Sequence, residues 1–160
     1  MALSFIIPGL DEVASEKIIG ILQERLSQEQ EAALVLKHAH WNVAGPNFIA
    51  VHEMLDRRST RCSRWPTRRL SASPHWAARQ AAVPDDIVRY RTWDKFELEG
   101  RQNTLDYLRA LDKYYDSFIK ADRTAIKELD DLDVISSNIV QDHVLKLEQF
   151  QWFMRSFLID

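Results

Sequence analysis

The sequence predicts an all-α domain built as a bundle of four long helices. Apolar residues recur at steps of three, four or seven over four long stretches, as they do along one face of an α-helix. Only four Gly and five Pro occur in 160 residues, so the chain lacks the frequent turns that many short strands require. With 46% hydrophobic residues it can bury one core and is short for two. We therefore expect a single domain over residues 1–160.

The first helix is predicted from about Asp11 to His40, with Asp11 as its N-cap. Its apolar stripe comprises Ile18, Leu22, Leu26, Ala33, Leu36 and His40. Residues 42–46 form a turn, and Pro46 suits the first turn of a second helix, because its fixed backbone is compatible with that position. The second helix carries Phe48, Val51, His52, Leu55 and Asp56 at helical spacing.

The third helix is predicted between Asp94 and Thr124, and the fourth from Ile135 to the last residues. The third stripe comprises Leu105, Leu108, Leu111, Tyr115, Phe118 and Ile119, and the fourth comprises Ile135, Ile139, Leu147, Phe150, Met154 and Phe157. An acidic run at 128–133 is expected to interrupt the third helix and to cap the fourth. Short connections favour antiparallel neighbours, and the long link between the second and third helices indicates a crossover.

The chain has a formal net charge of −3, but its basic and acidic residues are distributed unevenly along the sequence. The stretch from Arg57 to Pro84 contains seven Arg and no Lys, Asp or Glu, whereas the rest of the chain has 14 basic and 24 acidic residues. A strongly acidic body argues against general affinity for nucleic acid, which depends on neutralising phosphates, and it suits a protein that attracts cations. We find no secretory signal, no apolar run near the roughly 20 residues of a membrane span, and a single cysteine, Cys62. These features predict a cytoplasmic protein.

Two histidines and an aspartate near the turn after the first helix are candidate metal ligands. His52 and Asp56 are one helical turn apart, so both can hold one cation. His40 ends the first helix on its apolar side, while His38 is two residues away, points elsewhere and cannot chelate with it. Spacing alone leaves the alternatives open, which are surface capping or ion pairing for His52 and Asp56 and core packing for His40.

A longer run of motifs surrounds these ligands. It comprises His40-Trp41-Asn42-Val43, Gly45-Pro46 with Phe48, His52-Glu53, Leu55-Asp56, Arg91-Thr92-Trp93-Asp94 and residues 147–153. With these motifs the sequence closely resembles the Dps family, the small ferritin-like iron-storage proteins of bacteria, and its actinobacterial branch most. The resemblance implies a ferritin-like four-helix bundle with a short extra helix in the crossover between the second and third helices. It also implies a hollow dodecamer with tetrahedral symmetry.

The resemblance further implies that the protein is a ferroxidase and an iron store. Fe(II) would be oxidised by hydrogen peroxide or oxygen at sites on two-fold interfaces, and Fe(III) would be held inside the cage as mineral, protecting the cell from oxidative damage. One subunit would supply His40 and His52, the partner would supply Asp56 with further carboxylates, and Trp41 would line the site. The acidic residues of the 128–133 run would either cap a helix or line a pore that focuses Fe(II); they are Glu128, Asp130, Asp131 and Asp133.

Residues 57–83 depart from the family pattern. The further carboxylates are expected eleven and fifteen positions after Asp56, where this sequence has Thr67 and Ser71. Pro66 and four arginines at helical spacing also disfavour a helix in this segment. We interpret the segment as an out-of-frame reading of a GC-rich gene, because a shifted frame restores Asp and Glu at those two positions. The alternative is a genuine divergent insert that spoils or alters the metal site.

Two other functions use the same features. The bound metal could activate water to hydrolyse an amide or ester, although the sequence specifies no substrate pocket. The other is a structural DNA-packaging role, for which some members of the family that this sequence resembles use lysine-rich tails; here the first lysine is Lys17 and the chain ends Phe157-Leu158-Ile159-Asp160. We therefore expect no direct DNA binding unless residues 57–79 are genuine and exposed.

Overall fold

The computed structural model describes residues 7–69 and 83–159, with side chains for all of them except 65–69. Its elements in chain order are α1 (Glu12–Asn42), β1 (Val43–Ala44), α2 (Phe48–Arg69), α3 (Pro84–Arg89), β2 (Gln102–Asn103), α4 (Thr104–Leu132) and α5 (Val134–Ser156). α1 packs along α2, and α4 packs along α5, so two helical hairpins form the bundle. The predicted all-α bundle with a short crossover helix, α3, is confirmed. In these described ranges we find no helix that is both long and apolar enough to cross a membrane.

The start of α1 matches the prediction, and α2 begins at Phe48 as predicted, but Pro46 does not lie in its first turn. Asp11 caps α1, because its side chain accepts a hydrogen bond of 2.8 Å from the backbone N–H of Ala14. Pro46 lies in the turn, two residues before α2 begins. Gly45 and Asn47 on either side of it adopt φ values of +93° and +60°. This left-handed backbone cannot belong to a right-handed helix, and it delays α2 until residue 48.

α4 extends into the acidic run at 128–133, which was predicted to interrupt this helix. Glu128, Asp130 and Asp131 lie within its last turns, and the helix ends only at Leu132. The reason is packing, since Leu129 is fully buried in the bundle and continues the apolar stripe through the charged stretch. The expectation that this run interrupts the third helix was therefore wrong.

α2 also continues where the sequence predicted a break. Its backbone stays helical to Arg69, through Pro66. Tertiary packing accounts for the part before residue 65, because the Arg58 side chain is 7% exposed and its guanidinium lies 5.4 Å from the ring centroid of Phe150. Its Nε also donates a hydrogen bond of 3.3 Å to the hydroxyl of Tyr115. Such contacts override weak local propensities.

A short parallel pair of strands fixes the turn between α1 and α2. β1 pairs with β2 in the register Val43 to Gln102 and Ala44 to Asn103. Next to this pair, the buried hydroxyl of Thr104 donates a hydrogen bond of 2.7 Å to the carbonyl of Pro46. The turn is thereby tied to the first residue of α4, on the other helical hairpin.

Candidate metal centre

The turn between α1 and α2 brings two imidazole rings face to face. His40 lies near the end of α1 and His52 near the start of α2. Their ring centroids are 3.7 Å apart, with an angle of 24° between the ring planes. Phe48, one turn before His52, covers one side of this pair, with its ring centroid 5.0 Å from that of His52. The two rings therefore occupy one partly buried position.

Crossed hydrogen bonds to the backbone set the protonation pattern of both rings. His40 Nδ1 lies 2.9 Å from the carbonyl oxygen of His52, and His52 Nδ1 lies 2.9 Å from the carbonyl oxygen of His40. Because a carbonyl oxygen can only accept, each Nδ1 carries a hydrogen and donates it. In the neutral ring Nε2 then has a free lone pair, which is the form of histidine that binds a metal ion.

Asp56 adds an ionised carboxylate to the same region. Its Oδ1 lies 4.0 Å from His40 Nε2, and it accepts a hydrogen bond from Nζ of Lys37, a half-exposed residue on α1. That hydrogen bond outweighs desolvation, and with the charge of Lys37 and smaller effects of both histidines it lowers the pKa of Asp56. The carboxylate is therefore negative at neutral pH and available to a cation that displaces the lysine.

The Asp56 carboxylate lies next to His40 of its own chain. The helical spacing from His52 to Asp56 indicated this arrangement, and the packing of α1 against α2 adds His40 to it. The resemblance assigns Asp56 to the partner subunit, and this division of the ligands between two subunits stays a prediction. Among the described residues, no group of three or more His, Cys, Asp or Glu side chains is arranged to hold a metal ion by itself. Metal binding by this cluster therefore stays a prediction.

The sequence did not predict the contacts of two residues in this cluster, Lys37 and Phe48. Lys37 lies one turn before His40 on α1, so the three-residue spacing was a usable signal for a shared face. Its pairing with Asp56 depends on how α1 packs against α2, which the spacing does not give. Phe48 was noted as an apolar residue of the second helix, but its contact with His52 was not predicted.

The other residues predicted for the centre take different positions. Trp41 is 71% exposed and lies outside the histidine pair of its own chain. His38 points away as predicted, with Nε2 3.1 Å from the carbonyl of Leu98. Thr67 lies on the α2 backbone with its side chain outside the described part, and Ser71 lies outside the described residues altogether.

The acidic run divides into capping and exposed residues. Asp133 caps α5, because its side chain accepts hydrogen bonds from the backbone N–H groups of Ile135 at 3.3 Å and Ser136 at 2.9 Å. Asp130 accepts a hydrogen bond of 2.5 Å from the hydroxyl of Ser137. Glu128, 3.9 Å from Lys17, and Asp131 are exposed. The capping interpretation thus holds for Asp133, and a role for the exposed acids in a pore stays a prediction.

An Asp133→Ala variant is expected to unfold more easily, with a loss of about 1 kcal/mol in the free energy of unfolding, because two N–H groups of α5 lose their acceptor. Urea unfolding followed by circular dichroism measures this change. Asp131→Ala, at an exposed position two residues earlier, should change the free energy by a few tenths of a kcal/mol at most. Equal effects of the two substitutions would contradict the cap.

Comparisons with known proteins agree on one family. The family model of the ferritin-like domain matches residues 19–64. The DNA protection during starvation protein of Mycolicibacterium smegmatis is 37% identical over 155 residues, which are 97% of this chain and 84% of that protein. The solved tetragonal form of Mycobacterium smegmatis Dps superposes with a TM-score of 0.92 at 37% identity, covering 98% of this chain and 96% of the other. DpsA14 from Streptomyces coelicolor gives a TM-score of 0.88 at 33% identity, covering 100% and 96%.

Proposed function

Since this chain belongs to the Dps family of ferritin-like proteins, we propose that it oxidises Fe(II) at sites completed between two subunits. Membership in this family and the ferritin-like fold support iron storage and protection of the cell as its broad role. The finer proposal is a cytoplasmic dodecamer in which hydrogen peroxide or oxygen is the oxidant and Fe(III) is stored as mineral.

The crossed hydrogen bonds of His40 and His52 are the observation that carries this proposal. They leave Nε2 of each neutral ring as a potential ligand, and the Asp56 carboxylate lies 4.0 Å from one of these atoms. Imidazole and carboxylate ligands with open coordination positions suit Fe(II), which must admit an oxidant and release its product. Carboxylate oxygen, a hard ligand, also stabilises Fe(III).

An incomplete half-site explains why assembly would be part of the activity. Two imidazoles and one carboxylate that is shared with Lys37 give too few ligands for firm binding by one chain. A two-fold axis would bring a second copy of the same surface opposite the first, so ligands from the partner can complete each site. Trp41, exposed by 71% beside His40, is available to contact that partner.

The charge distribution supports delivery of the substrate cation. Outside the arginine-rich stretch the chain has ten more acidic than basic residues. A negative surface raises the local concentration of Fe(II) and speeds its association. We propose that the exposed acids at the end of α4, Glu128 and Asp131, contribute to an entry route, because Asp130 and Asp133 already serve local hydrogen bonds.

Incubation of the full chain with Fe(II) and hydrogen peroxide tests the proposal. Each peroxide accepts two electrons, so it should convert two Fe(II) to Fe(III), and the product should stay in solution and co-elute with a large oligomer on size exclusion. The same mixture without protein should precipitate. A chain that elutes as a monomer would overturn the cage, and a large oligomer that leaves the iron to precipitate would overturn the storage function.

A further inference from the structure

Four ionisable side chains lie fully inside the bundle, far along the helices from His40 and His52. They are Arg25 and Glu29 of α1, Asp122 of α4 and His143 of α5, each at most 2% exposed. Glu29, Asp122 and His143 fall between two apolar clusters along their helices, and Arg25 lies next to Leu26 of the smaller one. The larger cluster surrounds Leu36, Tyr115 and Leu147, and the smaller one is formed by Ile18, Leu22, Leu26, Leu129 and Val140. We call these four residues the buried charge belt.

The belt is held together by direct charged contacts between three helices. Arg25 Nη1 lies 2.8 Å from Asp122 Oδ1, and Asp122 Oδ2 lies 2.7 Å from His143 Nδ1. On its other side, His143 Nε2 contacts Glu29 Oε1. The imidazole is thus clamped between a carboxylate of α4 and a carboxylate of α1. The clamp joins the α1–α2 hairpin to the α4–α5 hairpin.

This geometry favours the charged form of the ring. Each ring nitrogen lies at ion-pair distance from a carboxylate oxygen, which attracts an N–H group and repels a lone pair, and only the imidazolium carries a hydrogen on both nitrogens. With Arg25, the belt then holds two positive and two negative charges and is neutral. Loss of one ring proton would turn a lone pair toward a buried carboxylate and leave one uncompensated negative charge in the core, which is strongly unfavourable.

Other charged and titratable groups reach the belt from every packed element. Glu24 of α1 pairs with Arg25 at 2.6 Å. From α2, the Arg58 guanidinium and the Cys62 thiol interact electrostatically with Glu29, as does the Tyr115 hydroxyl of α4. Among the described groups that act on His143 itself, Glu29 and Asp122 dominate. The protonation of the ring is therefore set inside the belt.

We propose that Glu29, His143 and Asp122 form a proton-dependent lock that holds the two helical hairpins together. While the imidazole carries both hydrogens, α1 is tied to α4 and α5 through one side chain. When the ring loses a proton, the tie to one carboxylate is lost and the bundle loosens. The lock does not involve the proposed iron ligands, so its test is independent of iron oxidation.

The direction of the pH dependence follows from the two carboxylates. Burial disfavours the charged ring, but the negative charges of Glu29 and Asp122 outweigh burial and raise the pKa of His143 from 6.5 to about 9. A group whose pKa is raised by folding stabilises the folded state fully below its unfolded pKa, and this stabilisation is lost as the pH rises through the folded pKa. The bundle should therefore weaken progressively between pH 6.5 and 9.

Denaturant unfolding of the full chain at a fixed protein concentration and at pH values from 6 to 9 tests the lock. Each pH unit changes the unfolding equilibrium up to tenfold for one proton, and with a ring pKa of 6.5 in the unfolded chain and about 9 in the folded one the unfolding constant should rise roughly 80-fold between pH 6.5 and 9. His143→Gln should be less stable at pH 6 and should lose this pH dependence. A wild-type unfolding constant that stays constant between pH 6.5 and 9 would overturn the proposal.

Two further variants keep the test decisive. If His143→Gln does not fold, Glu29→Gln retains an acceptor for the ring and removes one charge that raises the pKa of His143, so the pH-dependent loss should end at a lower pH and be smaller. Cys62→Ala is the matched control. Burial raises the pKa of the Cys62 thiol above 9.0, so titration of this thiol changes the stability only at pH values above 9. This control should keep the loss between pH 6.5 and 9, and a control that abolishes it would assign the effect to the thiol instead.

Discussion

A His52→Ala variant is expected to oxidise Fe(II) with peroxide about 100-fold more slowly than the wild-type chain. The smallest decrease that the proposal predicts is about tenfold. Loss of groups that only support a metal ligand typically reduces metal affinity or activity 10- to 100-fold, and His52 is proposed as a ligand itself. The substitution also removes the hydrogen bond to the carbonyl of His40 and the ring that stacks against His40. Stopped-flow absorbance of Fe(III) formation measures the rate.

His38→Ala is the matched control for this experiment. It removes a histidine only two residues from His40, yet the His38 ring contacts the carbonyl of Leu98 and the hydroxyl of Tyr107 instead of the candidate centre. We expect nearly wild-type oxidation from this variant after its assembly has been checked by size exclusion. If His52→Ala oxidises iron as fast as His38→Ala, the assignment of the centre is wrong.

Carboxylates introduced at positions 67 and 71 should speed iron oxidation, in contrast to the slower oxidation expected of His52→Ala. Thr67→Asp combined with Ser71→Glu is expected to raise Fe(II) affinity and the oxidation rate at least tenfold. Positions 67 and 71 follow Asp56 by eleven and fifteen residues, which is close to three and four helical turns. Resemblance to the family places carboxylates there, and carboxylate oxygens are ligands that iron prefers over a hydroxyl.

Thr67→Asn with Ser71→Gln controls for shape, because the amides match the carboxylates in size but carry no charge. The charged pair should increase iron binding, measured by titration under anaerobic conditions, and the amide pair should not. Equal binding by both pairs would remove these positions from the site. The interpretation of residues 57–83 as an out-of-frame segment has a test of its own. The intact mass of the protein from its natural source would then differ from 18.7 kDa.

The sequence predicted the fold best where local signals and packing agree. Asp11 caps α1 as expected, and the short helix α3 lies in the crossover. The end of α4 was missed because the acidic residues looked like a helix stop, whereas buried Leu129 carries the helix through them. The extension of α2 beyond Arg57 was missed for the same reason, since the burial of Arg58 against aromatic rings is a tertiary effect.

The candidate site was predictable in its residues and only partly in its arrangement. The spacing from His52 to Asp56 indicated a shared face, and the surrounding motifs added His40. Neither the stacked rings nor the lysine that neutralises Asp56 followed from spacing, because both depend on how two helices pack across a turn. The charge belt was missed because Arg25 and Glu29 look like ordinary surface residues, although His143 on a largely apolar helix was a signal.

The crossed hydrogen bonds from each imidazole to the backbone carbonyl of the other histidine have a consequence for how fast iron would load at the proposed centre. Each ring is tethered to the backbone that carries the other, so both side chains are held in place before any ion arrives at the proposed centre. An incoming cation then loses little of its binding energy to ordering these ligands. Preorganisation of this kind means that capture should be limited by diffusion and by release of the lysine, with no slow rearrangement of the coordinating groups.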